Sequence, residues 1–434
     1  MTSYLVGLRC VSCRAPTTDR TRDPLCPACG GFLQAEYDLE KLRAEVDRDA
    51  LAAQPPGMWR WSCLLPVRDE RHVVTLLEGD TPLLRMRRLE AEFGCPPFFI
   101  KDESRNPTGS FKDRGASATA GKCREVGIEH LVIASSGNAS AAMSAYCARA
   151  GLRLTALMRP ETVPGHLLQN LICGTDALVV DGDMVQGTRL AQQAADRHGW
   201  FHATQPYNLY RIEGKKTLAF EIAEALGWRA PDRILIPTGG GTNVLALHLG
   251  FSQLIALGWV DRMPALDVVQ STGCAPIVRA WERDEPVRHW GRSTSRATGM
   301  THPFPRAGDE VVAIMRRTGG RGWAVADGDS FVAARVLAQR EGLFLQPAAA
   351  ASAACLISGK LEQLDATGRG AGGSLLKDQV VVGIGTGSGK NQVAEALAEL
   401  PETPRIPPDI AALEAVLDGL DGLDGRDGGP GTAI

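Results

Sequence analysis

One lysine, Lys112, lies among small and turn-forming residues in the stretch 106–115, which reads Asn-Pro-Thr-Gly-Ser-Phe-Lys-Asp-Arg-Gly. The apolar run at 98–100 predicts a strand, and Asn-Pro-Thr-Gly predicts a turn that leads into a helix. Lys112 would then lie in the first helical turn, where the macrodipole disfavours an ammonium ion. We interpret Lys112 as an amine nucleophile of the Schiff-base type. A solvated helix lysine is the alternative when this stretch is taken alone.

Three further loops are rich in Gly, Ser, Thr and Asn, and each follows an apolar run. The loop at 135–140, Ser-Ser-Gly-Asn-Ala-Ser, offers hydroxyls and free amides that suit a carboxylate. The loop at 238–243, Thr-Gly-Gly-Gly-Thr-Asn, lets the backbone approach a phosphate at a helix N-terminus. The third, at 383–391, is a compact hydroxyl-bearing turn. None has the spacing of a dinucleotide or Walker loop, which disfavours nicotinamide dinucleotides and ATP.

Short apolar runs alternate with longer, Ala-rich helical segments through most of the chain. This alternation predicts an α/β fold, a parallel sheet with helices on both faces. In such sheets the loops at the carboxyl ends of strands form the binding site. The predicted strands are 98–100, 131–134, 154–158, 178–180, 234–236, 266–269 and 380–384.

Four of the eleven cysteines form two close pairs, Cys10-x-x-Cys13 and Cys26-x-x-Cys29. Each pair directs two sulfurs at one point, so together they predict a four-thiolate Zn²⁺ site of the zinc-ribbon type, structural because protein fills every ligand position. A thioredoxin-like redox pair is disfavoured, since no strand-helix-strand pattern flanks either pair.

Composition restricts the classes of partner. The chain has 434 residues, 44% hydrophobic and 22% charged, with a formal net charge of -3. This balance favours a multidomain globular protein and gives no reason to expect nucleic acid or a membrane as partner. The first residues lack a signal-peptide pattern, and an odd number of cysteines argues against a disulfide framework, so we expect a cytoplasmic protein.

The motifs, in this order along the chain, resemble the threonine synthase family of fold-type II pyridoxal phosphate enzymes. The resemblance covers the lysine stretch, the three loops and the segment 208–217, Asn-Leu-Tyr-Arg-Ile-Glu-Gly-Lys-Lys-Thr. It implies a tryptophan synthase β-like fold with two parallel-sheet α/β subdomains, pyridoxal 5'-phosphate as cofactor, an amino acid substrate and a homodimer.

The resemblance and the composition together suggest the domain plan. We expect a zinc-ribbon-like module at 1–35, a linker at 36–77 and a catalytic body at 78–400. The smaller subdomain would be inserted around 115–215. Residues 401–434 would form a short helix followed by a disordered tail.

The resemblance also implies residue roles. Lys112 would be the Schiff-base lysine that moves protons, and Phe111 would pack beside the cofactor ring. Asn138 would hydrogen-bond the ring hydroxyl. The expected substrate-carboxylate residues are Ser135, Ser136 and Gly137, and the expected phosphate cup consists of Gly239, Gly240, Gly241, Thr242 and Asn243.

Two more roles follow from the same resemblance. Thr386, with Ser388 as the runner-up, would hydrogen-bond the pyridine nitrogen. Asn208 and Arg211 would help bind the phosphate of O-phosphohomoserine, since a guanidinium suits a dianionic leaving group.

The implied reaction converts O-phosphohomoserine and water to threonine and phosphate. The sequence departs from the family pattern in the phosphate cup, at Gln346 in place of Glu and at Ser388 in place of His. These departures leave open β-elimination or β-replacement on O-phosphoserine, serine or threonine. A non-catalytic relative that keeps the fold for binding is a third hypothesis.

Overall fold

The structure is a computed structural model that describes residues 3–20, 25–204, 208–358, 378–393, 403 and 405–421. The chain divides into two compact units, Met1–Val393 and Ala394–Ile434. The predicted disordered tail lies outside the described residues from position 422 onward.

The first unit contains thirteen strands among the described residues: β1 (Leu5–Cys10), β2 (Pro16–Thr17), β3 (Leu33–Tyr37), β4 (Leu83–Arg85), β5 (Phe98–Asp102), β6 (His130–Ala134), β7 (Arg153–Met158), β8 (Asp176–Val179), β9 (Phe201–His202), β10 (Arg233–Pro237), β11 (Ala265–Ser271), β12 (Gly322–Val325) and β13 (Val381–Gly385). Each predicted strand coincides with one of these, because continuous apolar runs fit a strand that is buried on both faces.

The helices of the first unit are α1 (Leu39–Glu45), α2 (Arg48–Ala52), α3 (Arg87–Phe93), α4 (Lys112–Glu125), α5 (Asn138–Ala150), α6 (Pro164–Ile172), α7 (Met184–His198), α8 (Tyr210–Lys215), α9 (Thr217–Ala225), α10 (Thr242–Ala256), α11 (Pro276–Arg283), α12 (Gly308–Thr318), α13 (Asp327–Glu341) and α14 (Pro347–Ile357). In the second unit, the described residues include one helix, α15 (Ile410–Asp421).

The larger sheet has six strands in the order β12-β11-β10-β13-β5-β4. The four strand pairs from β12 to β5 are parallel, and Val381 of β13 lies opposite Phe98 of β5. The edge strand β4 runs antiparallel to β5, a departure from the all-parallel prediction that mixed sheets commonly show at an edge. The predicted α/β class is confirmed.

The smaller sheet has four parallel strands in the order β8-β7-β6-β9. All four come from the part of the chain between β5 and β10, so the smaller sheet is inserted between strands of the larger one. The carboxyl ends of β6, β10 and β13 lead directly into the three Gly- and Ser-rich loops.

The amino-terminal residues form an antiparallel sheet in the order β2-β1-β3. Leu5, Leu8 and Leu33 of this sheet belong to the same hydrophobic core as Leu131 of β6 and Ala120 of α4. This three-stranded sheet with its cysteine pairs, residues 5–37, is called the ribbon below, and it shares a core with the smaller sheet and with the helix that begins at Lys112.

The segment predicted as a linker contains α1, α2 and a 3₁₀ helix at Met58–Leu64. Leu42, Leu51 and Trp61 of this segment are buried in the core of the larger sheet. Among the described residues, no helix is both long and apolar enough to cross a bilayer.

Candidate active site and cofactor site

Lys112 is the first residue of α4, as the turn chemistry before it predicted. Gly109 has a φ of 78°, a conformation that glycine adopts without strain. The Asp113 carboxylate accepts hydrogen bonds from the Thr108 hydroxyl and, at 2.7 Å, from the Thr108 backbone N–H. These hydrogen bonds connect the loop before α4 to the first turn of that helix, and they fix the position of Lys112.

A buried network of charged side chains, centred on Arg114 in the first turn of α4, holds this helix in place. Arg114 donates to Glu103 at 2.7 and 2.8 Å and to Glu221 at 2.5 and 2.8 Å, and Lys101 Nζ lies 2.7 Å from Glu221. Burial opposes ionisation of Glu221, but Arg114 and Lys101 outweigh it and hold the pKa of that carboxyl below its ordinary value. The network joins β5, α4 and α9 around the lysine turn.

The Lys112 amine is chemically suited to be a nucleophile. Burial first, and then the positive charge of Arg211, lowers the pKa of Lys112 to about 7. Its Nζ lies 4.0 Å from the centroid of the Phe111 ring. A substantial fraction of this amine is therefore uncharged near neutral pH.

The loops converge on one cavity of about 830 Å³, a volume suited to a small-molecule ligand. Most of the predicted cofactor and substrate residues line it: Phe111, Lys112, Ser135, Ser136, Gly137, Asn138, Gly239, Gly240, Gly241, Thr242, Asn243 and Thr386. Strand order explains part of this convergence, because β10, β13 and β5 are neighbours in the larger sheet and their following loops leave the carboxyl ends of parallel strands. The loop at 135–140 reaches the cavity from β6 of the smaller sheet.

The loop at 239–243, which was predicted to bind a phosphate, has donors without acceptors in the described part of the chain. Gly241 has a φ of 85°, and a Cβ there would lie 2.6 Å from Val311 Cγ2, so both conformation and space require glycine. Within the described part of the chain, no group accepts from the backbone N–H groups of 239–243. Both polar side-chain atoms of Asn243 are also buried without a partner. Such orphaned groups fit an anion at the N-terminus of α10.

The loop after β6 supplies a second set of polar groups. Asn138 begins α5, and its amide oxygen is hydrogen-bonded to Asn391 Nδ2 at 2.8 Å and His166 Nε2 at 2.9 Å. Its amide nitrogen donates to Gln346 Oε1 at 3.3 Å. The Ser136 hydroxyl accepts from the Arg159 backbone N–H at 2.7 Å. Asn138 is thereby oriented by three side chains.

The loop after β13 distinguishes its two candidate hydroxyl residues. Thr386 lines the cavity, and its carbonyl accepts from the Phe111 N–H at 3.2 Å. Ser388 does not line the cavity; its hydroxyl accepts from the Lys390 N–H at 3.3 Å and its N–H donates to Gly109. Thr386 is therefore better placed to face a cofactor ring.

Asn208 and Arg211 are buried and do not line the cavity. Asn208 Nδ2 donates to Thr119 Oγ1 at 3.0 Å. Arg211 donates to the carbonyl of Ala203 at 3.3 Å, its Nε is buried without a partner, and burial lowers the pKa of its guanidinium to about 10. The positive charge of Arg211 contributes to the lowered pKa of Lys112.

Sequence patterns missed several residues at the site. Arg159, His166, Arg292 and His302 line the cavity. His302 approaches Gly240, and its Nδ1 is buried without a partner. Lys215 is fully buried and donates to Thr242 Oγ1 at 2.9 Å. The doubled lysine at 215–216 was the one signal for that contact.

The four paired cysteines form a cluster far from these loops in sequence. All four Sγ atoms lie within 4.8 Å of one another, with Cys10 and Cys29 at 3.5 Å and Cys13 and Cys26 at 3.7 Å. Tetrahedral zinc with bonds of about 2.3 Å separates its sulfur ligands by about 3.8 Å. The cluster can therefore hold a metal ion of this kind.

Comparisons with known proteins agree with this geometry. A family model described as "Pyridoxal-phosphate dependent enzyme" matches residues 74–384. The threonine synthase of Methanocaldococcus jannaschii is 33% identical over 94% of this chain and 98% of its own length. The threonine synthase of Synechocystis is 38% identical over 71% of this chain and 78% of its own length.

Solved structures match the fold at low identity. Maize serine racemase aligns with a TM-score of 0.62 at 16% identity, over 79% of this chain and 93% of its own. Tomato threonine deaminase isoform 2 aligns with a TM-score of 0.60 at 18% identity, over 81% of this chain and 94% of its own. At these identities the likeness concerns the fold alone.

Proposed function

This chain belongs to the family of pyridoxal-phosphate-dependent enzymes, and on that basis we propose that it is a threonine synthase, which converts O-phosphohomoserine and water to threonine and phosphate. The observation that carries the proposal is the low-pKa amine of Lys112, set in one cavity between a loop of free amides and a loop of hydroxyls. Relatives that match nearly the whole chain bear the name threonine synthase, which supports this choice.

The residues around Lys112 fit the cofactor. The unpaired amides of 239–243 would hold its phosphate, Lys112 would bind its aldehyde carbon, and Thr386 would face its ring nitrogen. When bound, pyridoxal phosphate withdraws electrons from the substrate carbon that carries the amino group. A hydroxyl partner, in place of a carboxylate, leaves the ring nitrogen largely unprotonated.

Side chains of this chain would bind the substrate and move its protons. The loop at 135–137 would bind the carboxylate through its amides and hydroxyls. Lys112 Nζ, uncharged near neutral pH, would take a proton from the substrate and return it on another carbon.

The charge of the cavity suits a phosphorylated amino acid. Arg159 and Arg292 line it together with Glu161 and Asp183, and Arg211, which does not line it, has a buried Nε without a partner. Guanidinium groups bind phosphate oxygens through two parallel hydrogen bonds, so they stabilise a dianionic leaving group. Serine or threonine would make no use of these cations.

Product analysis tests the proposal. Purified protein with pyridoxal phosphate should release inorganic phosphate and threonine in equal amounts from O-phosphohomoserine. A Lys112→Ala variant should lose this activity by at least about a thousandfold, because the proton-transferring amine is gone. A Lys41→Met variant, which removes an exposed lysine of α1 outside the site loops, is the matched control and should keep full activity.

The assay also separates the alternatives. Ammonia and a keto acid formed from serine, threonine or O-phosphoserine, without turnover of O-phosphohomoserine, would contradict the proposal. Absence of cofactor absorbance would favour a non-catalytic relative instead.

We propose in addition that the metal of the cysteine cluster is Zn²⁺, supported by the matched pairs and by the sulfur separations. The domain boundaries, a homodimer and a cytoplasmic location remain predictions from the sequence and the family resemblance.

A further inference from the structure

Two consecutive buried lysines, Lys215 and Lys216, have different kinds of partner. Lys216 Nζ lies 2.5 Å from Glu213 Oε2 and 4.0 Å from the centroid of the Tyr37 ring. Within the described part of the chain, Lys215 Nζ has no carboxylate in contact, and its one hydrogen bond is to Thr242 Oγ1 at 2.9 Å. Burying an ammonium ion without a counterion is costly, so this position indicates a missing anion.

The hydrogen bond to Thr242 has a definite direction. Thr242 is the first residue of α10 and belongs to the phosphate cup. When its oxygen accepts from Lys215, the hydroxyl keeps its own proton for donation to another acceptor. The unpaired amides of 239–243 and the unpaired side chain of Asn243 surround the same space. In the described part of the chain, the N–H groups of 239–243 and the Asn243 side chain therefore have no acceptor at this end of α10.

The charge around Lys215 favours the same conclusion. Its pKa is lowered well below the ordinary value by burial and by two other cations, Lys112 and Arg211. These two are the charged groups that face it. A dianion in the cup would compensate this excess of positive charge and would favour the protonated lysine.

We propose that Lys215 is a positioning residue for the cofactor phosphate. Its ammonium group holds the Thr242 hydroxyl so that the hydroxyl donates to the phosphate, and its charge compensates the dianion. The inference depends on the cofactor of the family and not on which amino acid is the substrate.

Binding to the apoenzyme tests the proposal without any measurement of turnover. Two ligands are compared, pyridoxal phosphate and pyridoxal, which lacks the phosphate. Lys215→Met should weaken the binding of pyridoxal phosphate by about tenfold to a hundredfold, the range expected for loss of a charge-assisted hydrogen bond. It should leave the binding of pyridoxal unchanged. The Lys41→Met control, at an exposed lysine on α1, should change neither dissociation constant. Normal binding of pyridoxal shows in the same experiment that the variant is folded around Lys112.

Further variants separate the hydrogen bond from the charge. Lys215→Gln retains a donor without charge and should bind pyridoxal phosphate with intermediate affinity. Thr242→Val should likewise weaken binding of pyridoxal phosphate and leave binding of pyridoxal unchanged. The double variant should bind pyridoxal phosphate only slightly more weakly than the weaker of the two single variants, because the lysine acts through this hydroxyl.

The proposal is overturned if Lys215→Met weakens the binding of both ligands equally, or if it leaves the affinity for pyridoxal phosphate unchanged. If Lys215→Met does not fold, Thr242→Val decides in its place by the same comparison. The unmodified enzyme could fail to produce threonine while Lys215→Met still weakens binding of pyridoxal phosphate and not of pyridoxal. This pair of results would reject the proposed substrate and support the role of Lys215.

Discussion

At the scale of residues, the reactivity of Lys112 has more than one source. The first-turn position was predicted from the sequence, together with the helix dipole that disfavours its charge. The structure adds two further causes, burial and the nearby charge of Arg211. Both depend on residues brought close by folding, so the sequence stretch alone identified the lysine and not the size of its pKa shift.

This pKa predicts how the apoenzyme captures its cofactor. Only the uncharged amine attacks an aldehyde, so the capture rate should rise with pH through about 7 and then level off. With an ordinary lysine, the capture rate would continue to rise with pH towards a pKa of about 10.4. Recovery of cofactor absorbance after mixing, measured across pH, gives the midpoint. Arg211→Gln should move that midpoint upwards, since it removes a neighbouring positive charge.

A rate that keeps rising into the ordinary lysine range would show that the amine is not buried in the apoenzyme. Lys112→Ala is the control that assigns the measured reaction to this residue.

Residue contacts made across long sequence separations explain what the sequence did not predict. Arg114, Lys101 and Glu221 form a buried network although charged residues are usually exposed. Their partners lie up to 120 positions apart. Lys215 and His302 likewise reach the site from elements that no local pattern connects to it.

At the scale of elements, strands and binding loops were the predictable part. The runs at 131–134 and 234–236 fall within β6 and β10, because a strand buried on both faces carries continuous apolar residues. Loop chemistry was predictable for the same reason, since turn residues act locally. The crossing of α4 and α8 was not predictable, because it depends on two glycines about one hundred positions apart.

At that crossing the two helix backbones touch. A Cβ on Gly214 would lie 2.0 Å from the carbonyl oxygen of Arg114, and a Cβ on Gly115 would lie 2.9 Å from Arg211 Cα. The close approach brings the residues of α8 next to the start of α4. Arg211 and Lys215 are thereby held beside Lys112.

Gly214→Ala should therefore lower the free energy of unfolding by about 3 kcal/mol or more, since backbone atoms cannot yield as side chains do. Gly328→Ala, on α13, is the matched control: a Cβ there meets nothing within 4 Å. The control should be neutral or stabilising by about 0.5–1 kcal/mol. Urea unfolding of both variants measures the difference. Equal midpoints would mean that the helices do not touch at this crossing.

At the scale of the whole molecule, the ribbon is part of the body to which Lys112 belongs. Cys10 and Cys26 are members of the core that contains Ala116 and Ala120 of α4. Asp19, between the two cysteine pairs, contacts Lys122 of α4 at 2.8 Å. Metal binding and the position of α4 should therefore be coupled.

Removal of the metal should lower the thermal stability of the body and not of the ribbon alone. We expect Cys13→Ser, at an exposed ligand position, to reduce bound zinc and to lower both the melting temperature and the affinity for pyridoxal phosphate. Zinc content, calorimetry and cofactor titration measure these effects. Cys173→Ser, at a cysteine outside the cluster, should change none of them. A separate melting transition for the ribbon, with cofactor affinity unchanged, would refute the coupling.

The shared core has a consequence for the cell that makes this protein. No ligand sulfur reaches the substrate cavity, yet two of the four sulfurs belong to the core on which the reactive helix rests. The amount of working enzyme would then follow the supply of zinc as well as the supply of vitamin B6. Amino acid synthesis at this step would depend on two micronutrients, of which only one takes part in the chemistry.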